Sequence, residues 1–199
     1  MENILKFDQN LFIYINNNLK NPIFDVLFYI FNYFGNWWYL APICLYLIYL
    51  YDREKILIWA GILVTCGIVS GAILHLLKWY IIRPRPLKEF EVLINTGKIV
   101  VYSIGEKLKG DNSFPSGHTQ TAFTAATFLY YFYNKKYSIY LILFASMVGL
   151  ARIYSGVHFP IDVIAGAFIG ILPTMIICKC LAYSSLALLL SSTRKINGL

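Results

Sequence analysis

Residues 56–77, ILIWAGILVTCGIVSGAILHLL, contain no Asp, Glu, Lys or Arg. A helix needs about 20 mostly apolar residues to cross the hydrocarbon of a bilayer, so this stretch reads as a membrane span without adjustment. The charged turn DREK (52–55) stops it at one end, and the basic, proline-broken run KWYIIRPRP (78–86) stops it at the other. Working outward, Trp37–Tyr51 reads as a shorter span opened by the aromatic belt Trp37, Trp38 and Tyr39. Three further spans are predicted over 116–133, 138–154 and 160–181, joined by NKKY and SGVHF. Composition agrees: 58% of the 199 residues are hydrophobic, 14% are charged and mean hydropathy is +0.60, outside the soluble range. The expected fold is all-α, a polytopic helical membrane bundle of about five spanning helices preceded by N-terminal interfacial helices.

Residues 1–36 read as that interfacial segment, because INNNLKNP would place amides and Lys20 in hydrocarbon if it spanned. Asn21 reads as an N-cap, Pro22 as a first helical residue and Asp25 as an acid favoured by the helix dipole. Residues 37–190 form the expected transmembrane domain, interrupted by one long polar loop (87–113), and 191–199 a polar, frayed tail. No secretory signal is evident, so the mature chain is expected to begin near Met1. Cys44, Cys66, Cys178 and Cys180 lie in apolar segments and read as small hydrophobes, implying neither disulfide nor metal. The net charge of +7 comes mostly from basic residues at the ends of apolar runs, which argues for membrane anchoring and against nucleic acid.

Five spans bring distant residues to one face. Lys78, Arg83 and Arg85 end the second span, PSGH (115–118) opens the third, Arg152 ends the fourth, and His158 with Asp162 opens the fifth. Each cation alone reads as an interfacial anchor. Together they repel unless an anion sits among them. Pro115 and Ser116 start a helix whose free amides suit a tetrahedral oxyanion, and Gly117 allows its close approach. Guanidinium groups at Arg85 and Arg152 match phosphate geometry, and Lys78 adds a point charge. His158 and Asp162, four apart, share a helical face; a carboxylate on one ring nitrogen leaves the other basic, as a histidine nucleophile requires. His118 is then placed to protonate the departing oxygen. His75 reads as a buried structural histidine.

These residues resemble the three motifs of the phosphatidic acid phosphatase type 2 family: a lysine, six residues and Arg-Pro at 78–86; PSGH at 115–118; and Arg152, His158 and Asp162 at spacings of six and four. The resemblance implies a membrane lipid phosphatase working without a metal or other cofactor. His158 would become a phosphohistidine supported by Asp162, His118 would be the acid, and Lys78, Arg85, Ser116, Gly117 and Arg152 would hold phosphate. Ala151 stands where the family commonly has serine. Arg83 falls outside the motif and reads as an electrostatic helper or headgroup contact.

The partner implied is a lipid phosphate held in the bilayer. The resemblance suits the 1-phosphate of lipid A slightly better than undecaprenyl diphosphate or phosphatidylglycerol phosphate. An anion-binding or transport protein is the alternative from another class. The basic residues divide nearly evenly between the two sides once Lys78, Arg83, Arg85 and Arg152 are set aside as phosphate contacts. The resemblance favours a bacterial inner membrane with the site facing outward. The loop 87–113 and the N-terminal segment are the expected readers of the headgroup.

Overall fold

The computed structural model describes residues 2–104, 112–133 and 136–196, with side chains as far as Leu181. Lys107, Lys109, Lys135 and residues 197–199 lie outside the described residues, as do the side chains of Arg194 and Lys195. The described residues form α1 (Glu2–Asn18), α2 (Pro22–Phe34), α3 (Trp37–Tyr51), α4 (Ile56–Tyr80), α5 (Pro86–Glu89), α6 (Glu91–Asn95), α7 (Gly117–Phe132), α8 (Ser138–Tyr154) and α9 (Pro160–Ile196). The fold is an all-α transmembrane bundle. The segment read as one polar loop holds two short helices, α5 and α6, and α9 runs on through residues expected to fray.

Helix starts follow local chemistry. Asn21 caps α2 through a 2.8 Å bond from the Ile23 amide, with Pro22 at the first helical position. Asn36 caps α3 in the same way through Trp38. Pro160 opens α9, whose third residue, Asp162, reaches back to the Phe159 amide at 2.9 Å as in a capping box.

The helix at the centre is α7, which packs against α2, α3, α4, α8 and α9. Its closest neighbour is α9, for a steric reason: Gly166 and Gly170 form a G-x-x-x-G face against it. A Cβ at Gly170 would lie 2.6 Å from the Gln120 carbonyl oxygen, and one at Gly166 would strike that of Ser116. Small residues thus bring the two backbones together, as between membrane helices generally. A polar ladder joins α7 to α4, with Gln120 donating to Ser70 at 2.7 Å and Ser70 meeting Thr124 at 3.1 Å.

Among the buried residues of α4 are Leu63, Cys66, Ser70 and Leu74, one stripe at helical spacing. Its other faces present Leu57 (84% exposed), Ile68 and Leu76 outward, as suits a helix bordered by lipid. His75 sits off the stripe and is exposed, so it is not the buried structural histidine expected. Helices Arg53–Tyr80 and Pro160–Leu181 are long and apolar enough to span; Pro22–Phe34, Trp37–Tyr51 and Ser138–Tyr154 are shorter apolar helices.

α2 and α3 follow one another along α8 and α7. At the start of α2, the Asn21 amide meets the Tyr154 hydroxyl at 3.2 Å, and Phe28 stacks obliquely on the same ring. Its last turns place Phe31 and Phe34 on Phe144, more than two turns earlier in α8. The chain turns at Gly35–Asn36, and α3 continues to Tyr51, which packs on Phe132 and Tyr133 at the end of α7.

Candidate active site

The turn between α8 and α9 sets the nucleophile candidate. The Arg152 carbonyl accepts from the amides of Val157 (3.1 Å) and His158 (3.3 Å), folding the turn back on the end of α8. Gly156 makes this possible with φ +73°, and a Cβ there would lie 2.6 Å from the Tyr102 carbonyl oxygen. Both Arg152 and His158 are buried.

Around Asp162 the structure departs from the direct His–Asp bond expected. The His158 Nδ1 to Asp162 Oδ2 distance is 3.8 Å, too long for a hydrogen bond. Ser113 lies between them: its hydroxyl donates to Asp162 Oδ2 at 2.5 Å and meets His158 Nδ1 at 3.3 Å. A serine hydroxyl has one proton, and here the carboxylate takes it. Ser113 therefore accepts from Nδ1–H, which leaves Nε2 of the neutral ring basic. The other oxygen of Asp162 accepts from Arg83 Nη1 at 2.6 Å. Sequence reasoning assigned Ser113 to the headgroup loop, although its position two residues before PSGH was a usable signal.

Arg83 is not placed as a headgroup contact. Its second terminal nitrogen bonds Asp8 Oδ2 at 2.5 Å, and its guanidinium lies 4.1 Å above the Phe159 ring. Asp8, on α1, was missed entirely. Its remaining oxygen accepts from the Ile161 amide at 2.9 Å. The amides of Phe159, just before α9, and of Ile161, in its first turn, are thus occupied by Asp162 and Asp8, and the other candidate terminus is the start of α7.

There, too, one expected donor is engaged. The Ser116 amide donates to the Asp162 carbonyl at 3.0 Å, and its hydroxyl meets Thr119 at 2.9 Å, with the residue fully buried. Gly117 and His118 are only half-buried, and their amides fall in the first turn, where a helix supplies no internal acceptor. Lys78, at the end of α4, donates to the Asn112 carbonyl at 3.2 Å. Arg152 donates to Asn32 of α2 at 3.0 Å, and Asn32 in turn donates to Ser155 at 2.8 Å.

His158 stays neutral. Burial lowers its pKa first; Arg152 and Arg85 lower it further while Asp162 opposes them, and the result is about 4. Because the folded value lies below the unfolded one, this group's contribution to stability is present above about pH 6.5 and is lost as pH falls toward 4. Detergent-solubilised protein is expected to lose unfolding temperature over that window. His158→Gln should lose less, by an amount corresponding to roughly 3 kcal/mol.

His118 is pressed by the α2–α3 turn. A Cβ at Gly35 would come within 2.5 Å of His118 Cβ, 2.6 Å of Cδ2 and 2.8 Å of Cγ. Gly35→Ala is expected to displace the imidazole and cut turnover by about 10- to 100-fold, with thermal unfolding measured alongside to show the fold intact.

Asp25, read only as a helix-dipole acid, accepts from the hydroxyls of both Tyr102 (2.9 Å) and Tyr154. Asn16 adds bonds to the carbonyls of Tyr102 and Tyr154, 2.8 Å each, and accepts from the Tyr102 amide. The N-terminal segment is thereby fastened to the turn that carries His158. Among the described residues, no group of three or more His, Cys, Asp or Glu is arranged to hold a metal ion.

Residues 59–186 match the PAP2 superfamily. The chain belongs to that family. A solved structure, LpxE of Aquifex aeolicus, superposes with a TM-score of 0.71 at 34% identity, covering 85% of this chain and 93% of that one. The lipid A 4'-phosphatase of Porphyromonas gingivalis is 26% identical over 189 residues, 92% of this chain and 77% of that protein. The bacitracin transport permease protein BcrC of Bacillus licheniformis is 40% identical over 88 residues, 44% of this chain and 40% of that protein. The chain spans about half the length or less of several curated relatives it matches. The matched PAP2 region contains each of the three motifs, from Lys78 to Asp162.

Proposed function

We propose that this PAP2 protein is a membrane lipid phosphatase working through a phosphohistidine at His158. The observation that carries the reading is the chain from His158 Nδ1 through Ser113 to Asp162, which leaves Nε2 basic beside Arg85 and Arg152. Lys78, Arg85, Arg152 and the α7 amides at Gly117 hold the phosphate oxygens; Ser116 contributes by anchoring that helix start to Asp162. Nε2 attacks phosphorus, the phosphorus–oxygen bond to the lipid breaks, and His118 gives a proton to the departing oxygen. His118 then takes a proton from the water that attacks the phosphohistidine, releasing phosphate and restoring both rings.

The substrate is an amphiphile whose phosphate reaches the interface while its tails stay in the bilayer. We place the 1-phosphate of a lipid A-type glycolipid first, supported by the match to a lipid A 1-phosphatase of Porphyromonas gingivalis, 41% identical over 87 residues, and by the longer match to its lipid A 4'-phosphatase, ahead of undecaprenyl diphosphate and phosphatidylglycerol phosphate. The location proposed is a bacterial inner membrane, crossed several times, with the site facing outward. The test is phosphate release from a panel of these lipids in detergent with EDTA present. Turnover of at least one lipid supports the reading. Phosphate binding without turnover of any makes the protein an anion binder or transporter instead.

A further inference from the structure

A cavity of about 200 Å³ opens beside His118, between α2 and the start of α3, walled by Tyr29, Asn32, Tyr33, Asn36 and Tyr39 with Ile104. We propose that this cavity receives the leaving group of the first chemical step, and that the leaving group is an uncharged, hydroxyl-bearing ring, a sugar. The proposal rests on the phosphohistidine reading above and adds the subsite that selects the substrate.

Geometry fixes the place. In an in-line transfer the bond that breaks points away from the attacking Nε2, toward the group that protonates the departing oxygen. The leaving group therefore lies against His118, and His118 is part of this wall.

Chemistry fixes the class. Among the described residues, no Lys, Arg, Asp or Glu lines the cavity. A lipid diphosphate would leave its second phosphate here, and a charge taken from water without a partner is costly. Carboxamides both donate and accept, phenol hydroxyls do the same, and the rings offer flat apolar faces. That combination suits a pyranose, which has hydroxyls around its rim and C–H groups on its faces. The volume is below the roughly 300–1,000 Å³ of pockets for drug-sized ligands, so one ring fits and a disaccharide must extend outside.

The wall is also fixed in place. Tyr29 and Tyr33 share a 2.7 Å hydroxyl bond, Tyr33 and Tyr39 meet edge to face at 5.5 Å, and Asn36 caps α3. Asn32 holds Arg152, linking occupancy of the cavity to the phosphate site. Tyr29, Tyr33 and Tyr39 nonetheless remain 43–50% exposed, so their rings are accessible to an incoming headgroup.

The experiment compares kcat/KM of the full chain in detergent for a glucosamine-based lipid 1-phosphate, phosphatidic acid and a polyprenyl diphosphate. Wild type should favour the glycolipid over the diphosphate by about tenfold or more. Tyr29→Phe with Tyr33→Phe keeps the rings and removes the hydroxyls; the ratio of glycolipid to phosphatidic acid should fall by about tenfold. Tyr33→Lys adds a cation and should move preference toward the diphosphate. Wild-type preference for the diphosphate, or ratios unmoved in both variants, overturns the proposal. His158-dependent hydrolysis of phosphatidic acid tests the underlying reading separately: its persistence while the ratios stay fixed defeats the subsite alone, and no turnover of any lipid defeats both.

Discussion

His158→Ala is expected to lower phosphate release by at least about 10³-fold on every substrate, and to take up no covalent label. The complementary variant discriminates between roles. His118→Asn given an activated aryl phosphate needs no acid for the first step, because the phenolate leaves unaided. The second step still needs a base for water. Phosphoenzyme should therefore accumulate, as a label of about one per chain that is lost in acid and survives alkali, the behaviour of a phosphorus–nitrogen bond. With a lipid alkyl phosphate the same variant should instead be slow in the first step, by about 10²–10⁴-fold, and accumulate nothing. Label retained in His158→Ala would place the nucleophile elsewhere. A His118→Asn variant slowed equally on both substrates, with no label on either, would remove His118 from its proposed role.

The placement of these two histidines beside helix starts was legible because their context is local. His118 follows a helix start, and His158 stands four residues before an acid that opens the next helix; spacing alone carries both facts. Spans were legible for a similar reason, since hydropathy is a property of consecutive residues, and α3 and α8 begin and end where the sequence indicated. The failures involve partners far apart in the chain. Asp8, Phe12 and Asn16 form a buried stripe on α1, visible as a four-residue period, but only the fold shows that its polar members bind Arg83, the Ile161 amide and the backbone around Tyr102 and Tyr154. The asparagines read as interfacial amides are partly structural: Asn16 is fully buried. Ser113 was separated from its partners differently: it was counted as the last residue of the headgroup loop 87–113, whereas its hydroxyl bonds Asp162 and meets His158. Arg83 and Arg85 posed a harder problem. In extended backbone, residues two apart project to the same side, so the pattern RPRP cannot say which guanidinium meets phosphate and which meets protein.

Arg83→Leu provides the test of that division. Asp8 and Asp162 have fully buried side chains, and Arg83 is bonded to both. Removing the cation leaves two carboxylates desolvated against each other, a change that typically costs about 3–5 kcal/mol. For a chain of this size that corresponds to a fall in unfolding temperature of roughly 6–20 °C. Activity should fall by about 10²-fold, because Asp162 loses one of the bonds that hold it under Ser113 and His158. Arg83→Lys should recover only part of either quantity, since one ammonium lacks the fork that reaches two carboxylates at once. Kinetics separate positioning from substrate binding. A residue that acts through Asp162 lowers kcat with little change in KM, whereas a headgroup contact raises KM with kcat preserved. Asp8→Asn, which removes one of the two carboxylates, should weaken the effect of Arg83→Leu when the two are combined. Full additivity of the pair, or a pure KM effect, would return Arg83 to the substrate side of the site.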